Sequence, residues 1–161
     1  MCRLANSVPG GAFAEVGVYH GGSAWFLAQI AKDRGNALHL FDTWAGIPCK
    51  APIDIHAPGD FADVVLSEVR EKLPDAVFHV GVFPQTMPGD LDELAFVHAD
   101  CDQYESVKSC IDVLYPKLVT GGIMLFDDYG ALDGATLAVE EAFGDDRLFL
   151  TDEGKAYVVK S

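Results

Sequence analysis

The fold is decided by one stretch of the chain, LAFVHADCD, which runs from Leu94 to Asp102. Its first six residues, Leu94 to Ala99, are almost entirely apolar, and a run of this length indicates a strand buried on both faces. A second run, Ile123 to Phe126, also ends in acids, Asp127 and Asp128. In an open α/β sheet the ligand crevice lies beyond the carboxyl ends of the strands, so these acids are expected to converge at one edge.

Apolar runs of strand length alternate with amphipathic stretches of helix length on both sides of that stretch. This alternation is typical of parallel β-α units within one domain, here residues 1–161. The link from Asp152 to Lys155 is so short that it demands a hairpin, and hence an antiparallel edge. We therefore predict an α/β fold with three layers, α-β-α, around a mostly parallel seven-stranded sheet with an antiparallel C-terminal hairpin strand. The predicted strands are Ala12–Tyr19, Ala37–Phe41, Ala76–Val80, Leu94–Ala99, Ile123–Phe126, Arg147–Thr151 and Ala156–Lys160, and the predicted helices are Ser23–Asp33, Asp60–Leu73, Tyr104–Leu118 and Leu132–Phe143.

The composition argues against several classes of function. A formal net charge of −14 over 161 residues does not suit the binding of a nucleic-acid backbone, which needs a basic surface. The four cysteines have no close spacing, so neither a zinc module nor a redox motif is indicated, and free thiols fit a reducing cytoplasm. The amino terminus lacks the apolar core of a signal peptide, and no run approaches the ~18 apolar residues of a membrane span. We therefore expect a soluble, cytoplasmic protein that binds neither nucleic acid nor membrane.

The acidic clusters at the two strand ends suggest a divalent-metal site. Carboxylates taken out of water without a partner cost on the order of several kcal/mol each, so a bound cation is the economical explanation. Hard oxygen ligands favour magnesium or calcium over softer metals. The alternative is that some of these acids cap the helices that follow, and it applies most directly to Asp102, which stands just before the helix predicted from Tyr104.

A glycine-rich turn, EVGVYHGGS, joins the first predicted strand to the first predicted helix and runs from Glu15 to Ser23. Glycines at this position remove the Cβ atoms that would keep a cofactor away from the backbone. The spacing of Gly17 and Gly21 is not the dinucleotide G-x-G-x-x-G, so the turn alone is weak evidence. Asp42 closes the second predicted strand, where an acid can accept both hydroxyls of a ribose. The alternative reading is an ordinary tight turn with local hydrogen bonds to Glu15 and Asp42.

Several other residues fit either function or packing. His98 interrupts an apolar strand and is expected to be buried and hydrogen-bonded rather than a ligand. Trp44 and Phe83 follow strand ends, so they could enclose an adenine ring or pack in the core. Cys101 is expected to be an incidental small residue between two acids, and Tyr129 either touches the acceptor or packs ordinarily.

Taken together, these motifs resemble the macrocin-type O-methyltransferases, which are S-adenosylmethionine-dependent enzymes with a class I methyltransferase fold. The resemblance covers nearly the whole chain and is most specific in the ordered set from Asp100 to Tyr129, DCDQYES followed by LYPKL, GG and DDY. It implies a Rossmann-like fold and an S-adenosylmethionine site. It implies these site residues: Glu15, Gly17, Gly21, Ser23 and Asp42 for the cofactor, Asp100, Asp127 and Asp128 for Mg²⁺, and Asp102 as the base that takes the acceptor's proton.

One departure concerns the helices that family members carry ahead of the first strand, which close over the cofactor. This chain begins about a dozen residues before that strand, so the lid is expected to be missing or replaced. The loop from Thr43 to Gly59, a neighbouring subunit in a homo-oligomer, or a large acceptor could close the site. The expected function is magnesium-dependent O-methylation of a small hydroxylated molecule, such as a sugar or natural product. The alternatives are a lidless, non-catalytic S-adenosylmethionine-binding or partner protein, and a metal-dependent glycosyltransferase or phosphatase that uses Asp100 and Asp102.

Overall fold

The structure, a computed structural model, describes residues 1–161 apart from the side chain of Asp145. Helices and strands alternate along most of this length, as the sequence predicts. In chain order the elements are α1 (Cys2–Ser7), β1 (Ala12–Val16), α2 (Gly22–Arg34), β2 (Leu38–Asp42), α3 (Leu66–Lys72), β3 (Val77–Val80), β4 (Leu94–Ala99), α4 (Tyr104–Leu114), β5 (Leu118–Phe126), α5 (Asp133–Phe143), β6 (Phe149–Leu150) and β7 (Ala156–Val159).

The strands form one seven-stranded sheet in the order β3-β2-β1-β4-β5-β7-β6. The first five strands in that order run parallel, whereas β7 pairs antiparallel with both β5 and β6. The predicted fold class is therefore confirmed, including the antiparallel C-terminal hairpin. The direction of the strand order reverses between β1 and β4, and such a switch point opens a crevice at the carboxyl ends of the strands.

Helices cover both faces of the sheet and give it three layers. One apolar cluster joins α4 and α5 to the sheet, and a second joins α1, α2 and α3 to its other face. Strand β4 lies at the centre, and all six of its residues, Leu94 to Ala99, are buried. This burial on both faces explains why that strand reads as a continuous apolar run.

Some boundaries differ from those predicted. Helix α3 begins at Leu66 rather than at Asp60, because Phe61 has a left-handed backbone (φ +63°) that a helix cannot contain and Val65 is extended (φ −103°, ψ 106°). Helix α4 ends at Leu114 rather than at Leu118, since Pro116 lacks the amide hydrogen that the next turn needs and a 3₁₀ turn follows. The short helix α1 was not predicted. Among the described residues, no helix is long and apolar enough to cross a membrane.

Candidate functional site

A cavity of about 450 Å³ opens at the carboxyl ends of β1, β2 and β4, beside the switch point of the sheet. Parallel strands place their carboxyl ends at one edge, so residues distant in the sequence meet there. Five of the nine predicted site residues line this cavity, namely Gly17, Ser23, Asp42, Asp100 and Asp102. The cavity therefore brings the glycine turn and the first acidic cluster together.

Gly17 is the residue at which the glycine turn comes closest to the acidic cluster. Its backbone is left-handed (φ +87°), and a Cβ built on it would lie 1.7 Å from the carbonyl oxygen of Asp100. The Asp100 amide in turn donates to the carbonyl of Val16 at 2.9 Å. Any other residue at position 17 would clash with backbone, so glycine is required by this close approach. Gly21 is also left-handed, but it faces α3 and lies at the start of α2 rather than at the cavity wall.

Asp42 holds the glycine turn in place through its carboxylate. Its Oδ2 accepts hydrogen bonds from the amides of Val18 (2.7 Å) and Tyr19 (2.9 Å), and its Oδ1 accepts one from the amide of Trp44 (2.7 Å). These are the local hydrogen bonds that the sequence allows as the alternative to ribose binding by Asp42. Each carboxylate oxygen has about two acceptor sites, so bonding to the turn still leaves capacity for a hydroxyl from the cavity.

Glu15 does not reach the cavity; it is fully buried and pairs with His98 on the neighbouring strand. The His98 ring is flanked by two carboxylates, which accept hydrogen bonds but do not donate them, so both ring nitrogens donate. Nδ1 lies 2.8 Å from Glu15 Oε1, and Nε2 lies 3.1 Å from Asp127 Oδ1. Burial alone lowers the pKa of His98, but the bonds to Asp127 and Glu15 outweigh burial and raise it to about 10. The expectation of a buried, hydrogen-bonded His98 is confirmed.

Lys155 is a second positively charged residue beside Asp127, in addition to His98. Its ammonium contacts Asp127 Oδ1, the oxygen that also accepts from His98. Lys155 reaches this position because Ala156 of β7 pairs with Phe126 of β5, so the residues just outside that pair also face each other. The bond from His98 lowers the pKa of Asp127 to about 2; burial opposes this shift and Lys155 reinforces it. Sequence reasoning missed Lys155, because nothing local distinguishes a lysine in a hairpin loop.

Asp100, Asp127 and Asp128 each bring a carboxylate oxygen within 4.8 Å of the other two. Burial raises the pKa of Asp100 to about 7, since the two neighbouring carboxylates add to the effect of burial and His98 only partly opposes it. Burial also raises the pKa of Asp128. No positively charged side chain among the described residues makes an ion pair with Asp100 or Asp128.

The donor set of this cluster fits a hard divalent cation such as Mg²⁺. All three residues offer carboxylate oxygens, and two of them lack a protein counter-charge. Glu15, His98 and Asp100 also form a group within 4.8 Å, but this group does not extend the metal site, because both ring nitrogens of His98 donate to carboxylates and have no lone pair for a cation.

Asp102 lies in the cavity wall rather than at a helix cap. Its backbone is left-handed (φ +62°), and its amide donates to Asp128 Oδ2 at 3.1 Å. The amide of Tyr104, at the start of α4, is instead capped by Asp54 Oδ1 at 2.9 Å. The His56 ring lies beside Asp102, with its Nε2 3.9 Å from Asp102 Oδ1. Burial and then Asp128 raise the pKa of Asp102 to about 6, against a smaller opposing effect of His56.

The two aromatic residues considered for an adenine site are placed differently. Phe83 lines the cavity and packs against Phe41 at 5.3 Å between ring centroids. Trp44 is buried in the core beside Phe78, and its indole donates to the carbonyl of Tyr19 at 3.3 Å. Packing therefore explains Trp44, while Phe83 offers its ring to the cavity.

The loop after β2 borders the cavity with its first residues and its end. Thr43, Ile47 and Phe61 line the cavity wall. The loop is closed on itself by backbone hydrogen bonds, in which the amide of Ile47 donates to Asp60 at 2.9 Å and the amide of Gly59 donates to Ile47 at 3.0 Å. A long loop of this kind, packed by its own contacts, is typical of functional sites.

Comparison with known proteins agrees with this geometry. Two curated relatives are similar over most of the chain: an 8-demethyl-8-(2,3-dimethoxy-alpha-L-rhamnosyl)-tetracenomycin-C 4'-O-methyltransferase from Streptomyces olivaceus (31% identity over 88% of this chain and 60% of the relative) and a demethyldecarbamoylnovobiocin O-methyltransferase from Streptomyces niveus (30% identity over 86% and 60%). The chain thus spans about 60% of the length of the curated relatives it matches.

Solved structures show the same fold. The O-methyltransferase NovP superposes with a TM-score of 0.83 at 25% identity, over 99% of this chain and 77% of NovP. The calicheamicin methyltransferase CalS11 has the same TM-score at 24% identity, over 98% of this chain and 74% of CalS11. The sequence model of the macrocin-O-methyltransferase (TylF) family matches residues 3–150. The chain therefore belongs to the macrocin-O-methyltransferase family.

Proposed function

We propose that this chain carries the cofactor and metal sites of an S-adenosylmethionine-dependent, magnesium-dependent O-methyltransferase whose acceptor is a hydroxyl of a sugar or another small natural product. The observation that carries the proposal is the position of Asp100, which belongs both to the cavity wall and to the cluster of three carboxylates. A ligand in the cavity would therefore meet an ion held by that cluster.

The cofactor would occupy the part of the cavity formed by the glycine turn and the end of β2. Gly17 lets the backbone come close, and Ser23 lies at the start of α2, where amides suit the carboxylate of the methionine moiety. Asp42 would accept one ribose hydroxyl through the acceptor site that remains on its Oδ1 while it holds the turn, and Phe83 would lie against the adenine. Gly21 and Glu15 do not line the cavity and would act indirectly. Gly21 would shape the glycine turn, and Glu15 would hold the His98 ring in place.

The metal would be held by Asp100, Asp127 and Asp128. Bound S-adenosylmethionine would supply an electrophilic methyl group, and bound Mg²⁺ would lower the pKa of an acceptor hydroxyl. Holding the hydroxyl oxygen in line with the methyl group is the main task of the protein, since positioning accounts for much of the rate in such a displacement. His98 would orient Asp127 through its bond to Oδ1, whereas the ammonium of Lys155 at the same oxygen would partly neutralise the charge that Asp127 offers to the ion.

Asp102 is placed to take the acceptor's proton. Asp102 is one of the residues that line the cavity, and a pKa near 6 leaves it ionised yet basic at neutral pH. General-base catalysis of this kind contributes on the order of a hundred- to ten-thousand-fold.

The acceptor class is inferred from relatives. The protein from Streptomyces olivaceus is named for 4'-O-methylation of a rhamnosyl tetracenomycin, and that from Micromonospora griseorubida for 3''-O-methylation of mycinamicin III, with 29% identity over 78% of this chain and 58% of that protein. An overall charge of −14 suits a neutral acceptor better than an anionic one.

Calorimetric titrations with S-adenosylhomocysteine and, separately, with MgCl₂ test the two sites. Asp42→Asn should weaken S-adenosylhomocysteine binding at least tenfold and leave Mg²⁺ binding unchanged, whereas Asp100→Asn should do the reverse. Asp112→Asn is the matched control, because Asp112 is exposed on α4 and forms its ion pair with Lys108, away from the cavity. A wild-type protein with no affinity for S-adenosylhomocysteine would refute the cofactor assignment. Methyl transfer from labelled S-adenosylmethionine to a panel of glycosylated natural products then tests the reaction.

A further inference from the structure

We propose that Cys101 and Cys110 form a reversible disulfide that acts as a redox switch of the acidic site. Their sulfur atoms lie 3.7 Å apart, in direct contact. Cys101 stands between Asp100 and Asp102 and lines the cavity, whereas Cys110 is fully buried on α4. The nine-residue separation gives no motif in the sequence, and only the fold brings the two thiols together.

The reaction needs an oxidant that can enter the cavity, and hydrogen peroxide is the simplest one. The sulfur of Cys101 attacks a peroxide oxygen, so an S–O bond forms, the O–O bond breaks, the thiol proton passes to the departing oxygen and one water leaves. The contact with Cys110 and burial raise the pKa of the Cys101 thiol, so we expect this step to be slow. The sulfur of Cys110 then displaces the hydroxyl group from the sulfenic acid, which forms the S–S bond and releases the second water. In balance, two thiols and one hydrogen peroxide give one disulfide and two waters, with two electrons passing from sulfur to oxygen.

Bond formation requires movement near the site. A disulfide bond is about 2.05 Å long, so the two sulfurs must approach by roughly 1.7 Å from their present distance. Helix α4 is held in the core, where Val107, Cys110 and Leu114 are all buried. The segment that carries Cys101 is therefore the part that must yield.

That segment is tightly bonded to the functional groups around it. The Asp102 amide donates to Asp128 Oδ2 at 3.1 Å, and the Gln103 amide donates to the Cys101 carbonyl at 2.6 Å. The carbonyl of Asp100 lies against Gly17. Pulling Cys101 toward α4 would displace the carboxylates on both sides of it. We therefore expect oxidation to weaken Mg²⁺ binding about ten- to a hundred-fold, the loss usual when the supports of metal ligands are disturbed. This effect on Mg²⁺ rests on the proposed function, whereas disulfide formation does not.

The experiment treats the reduced full chain with hydrogen peroxide, alkylates the remaining thiols and maps disulfides by peptide mass spectrometry. We expect a link between Cys101 and Cys110 that dithiothreitol reverses, with Cys2 and Cys49 still alkylated. Cys110→Ser should abolish the link, and Cys2→Ser is the matched control that should retain it. The proposal is overturned if both cysteines stay alkylatable in wild type, or if Cys101 links to Cys49 or to another chain.

Calorimetry with MgCl₂ on the reduced and oxidised protein tests the coupling. Equal affinities in a protein shown to carry the disulfide would overturn the switch. Absence of Mg²⁺ binding in the reduced protein would count against the proposed metal site, and the mass measurement would still decide whether the thiols pair.

Discussion

The first prediction concerns His98, which supplies a positive charge to the interior of the sheet. His98→Leu keeps much of the side-chain volume but removes this charge from beside Glu15, which is fully buried. No other cation among the described residues pairs with Glu15, so the variant leaves a buried carboxylate uncompensated or forces it to take up a proton. Breaking a buried ion pair in this way costs about 3–5 kcal/mol.

The pKa of His98 gives a similar magnitude. A pKa raised from 6.5 to about 10 corresponds, at 1.36 kcal/mol per pKa unit, to roughly 5 kcal/mol as an upper limit. Because the folded-state pKa lies above the unfolded value, this stabilisation is fully present below about pH 6.5 and is lost as the pH rises through about 10. A loss of this size is a large part of the ~5–15 kcal/mol that holds a typical domain folded.

Urea unfolding followed by circular dichroism measures these effects. At pH 7 we expect His98→Leu to lower the free energy of unfolding by about 3–5 kcal/mol, and the double variant Glu15→Leu/His98→Leu to recover most of the loss, because it removes both charges. His79→Leu is the control, since burial lowers the pKa of His79 and its ring partner His39 is not an acid. A single variant within 1 kcal/mol of wild type, or a double variant no more stable than the single one, would refute the reasoning.

Three further predictions address the surroundings of the site. Lys155→Met should strengthen Mg²⁺ binding several-fold in calorimetry, because the ammonium that contacts Asp127 opposes a second cation there; weaker binding would mean that Lys155 serves mainly to orient Asp127. Gly17→Ala should destabilise the fold by more than 1 kcal/mol in urea and weaken S-adenosylhomocysteine binding, because its methyl group meets the Asp100 carbonyl; a neutral effect would contradict the close approach. Asp54→Ala should cost about 1–2 kcal/mol in thermal unfolding through loss of the cap of α4, and an unchanged midpoint would show that water replaces it.

The fold was predictable because its main signals are local. The run Leu94 to Ala99 reads as a buried strand since both of its faces are covered, and the short link before β7 allows only a hairpin. Boundaries were less predictable where one residue's backbone decides them. Phe61 looks like a helical apolar residue, yet its left-handed backbone excludes a helix start at Asp60, and Val65 is extended, so α3 begins only at Leu66.

The candidate site was predictable only where its residues follow strand ends. Asp42, Asp100 and Asp127 come together because parallel strands place their carboxyl ends at one edge. Some of the residues that shift the pKa values of the acids in the site come from other parts of the chain. His56 lies in a long loop and Lys155 in a hairpin, and neither position has a sequence signal that distinguishes it from a solvent-exposed residue.

The acids of the site fall into two groups according to how their charge is balanced. Glu15 and Asp127 have protein cations beside them, His98 for both and Lys155 for Asp127, so their charges are compensated by the fold itself. Asp100, Asp102 and Asp128 lack such close partners, and burial raises the pKa of each. The ion pairs of the first group link β1, β4 and the segments that flank β5 and β7, so they stabilise this acidic edge from within. In the second group Asp100 and Asp102 line the cavity and Asp128 lies beside Asp100, and burial makes the ionised form of each costly. A divalent ion would stabilise the ionised carboxylates of Asp100 and Asp128, and Asp102 would be left to accept a proton from an acceptor hydroxyl.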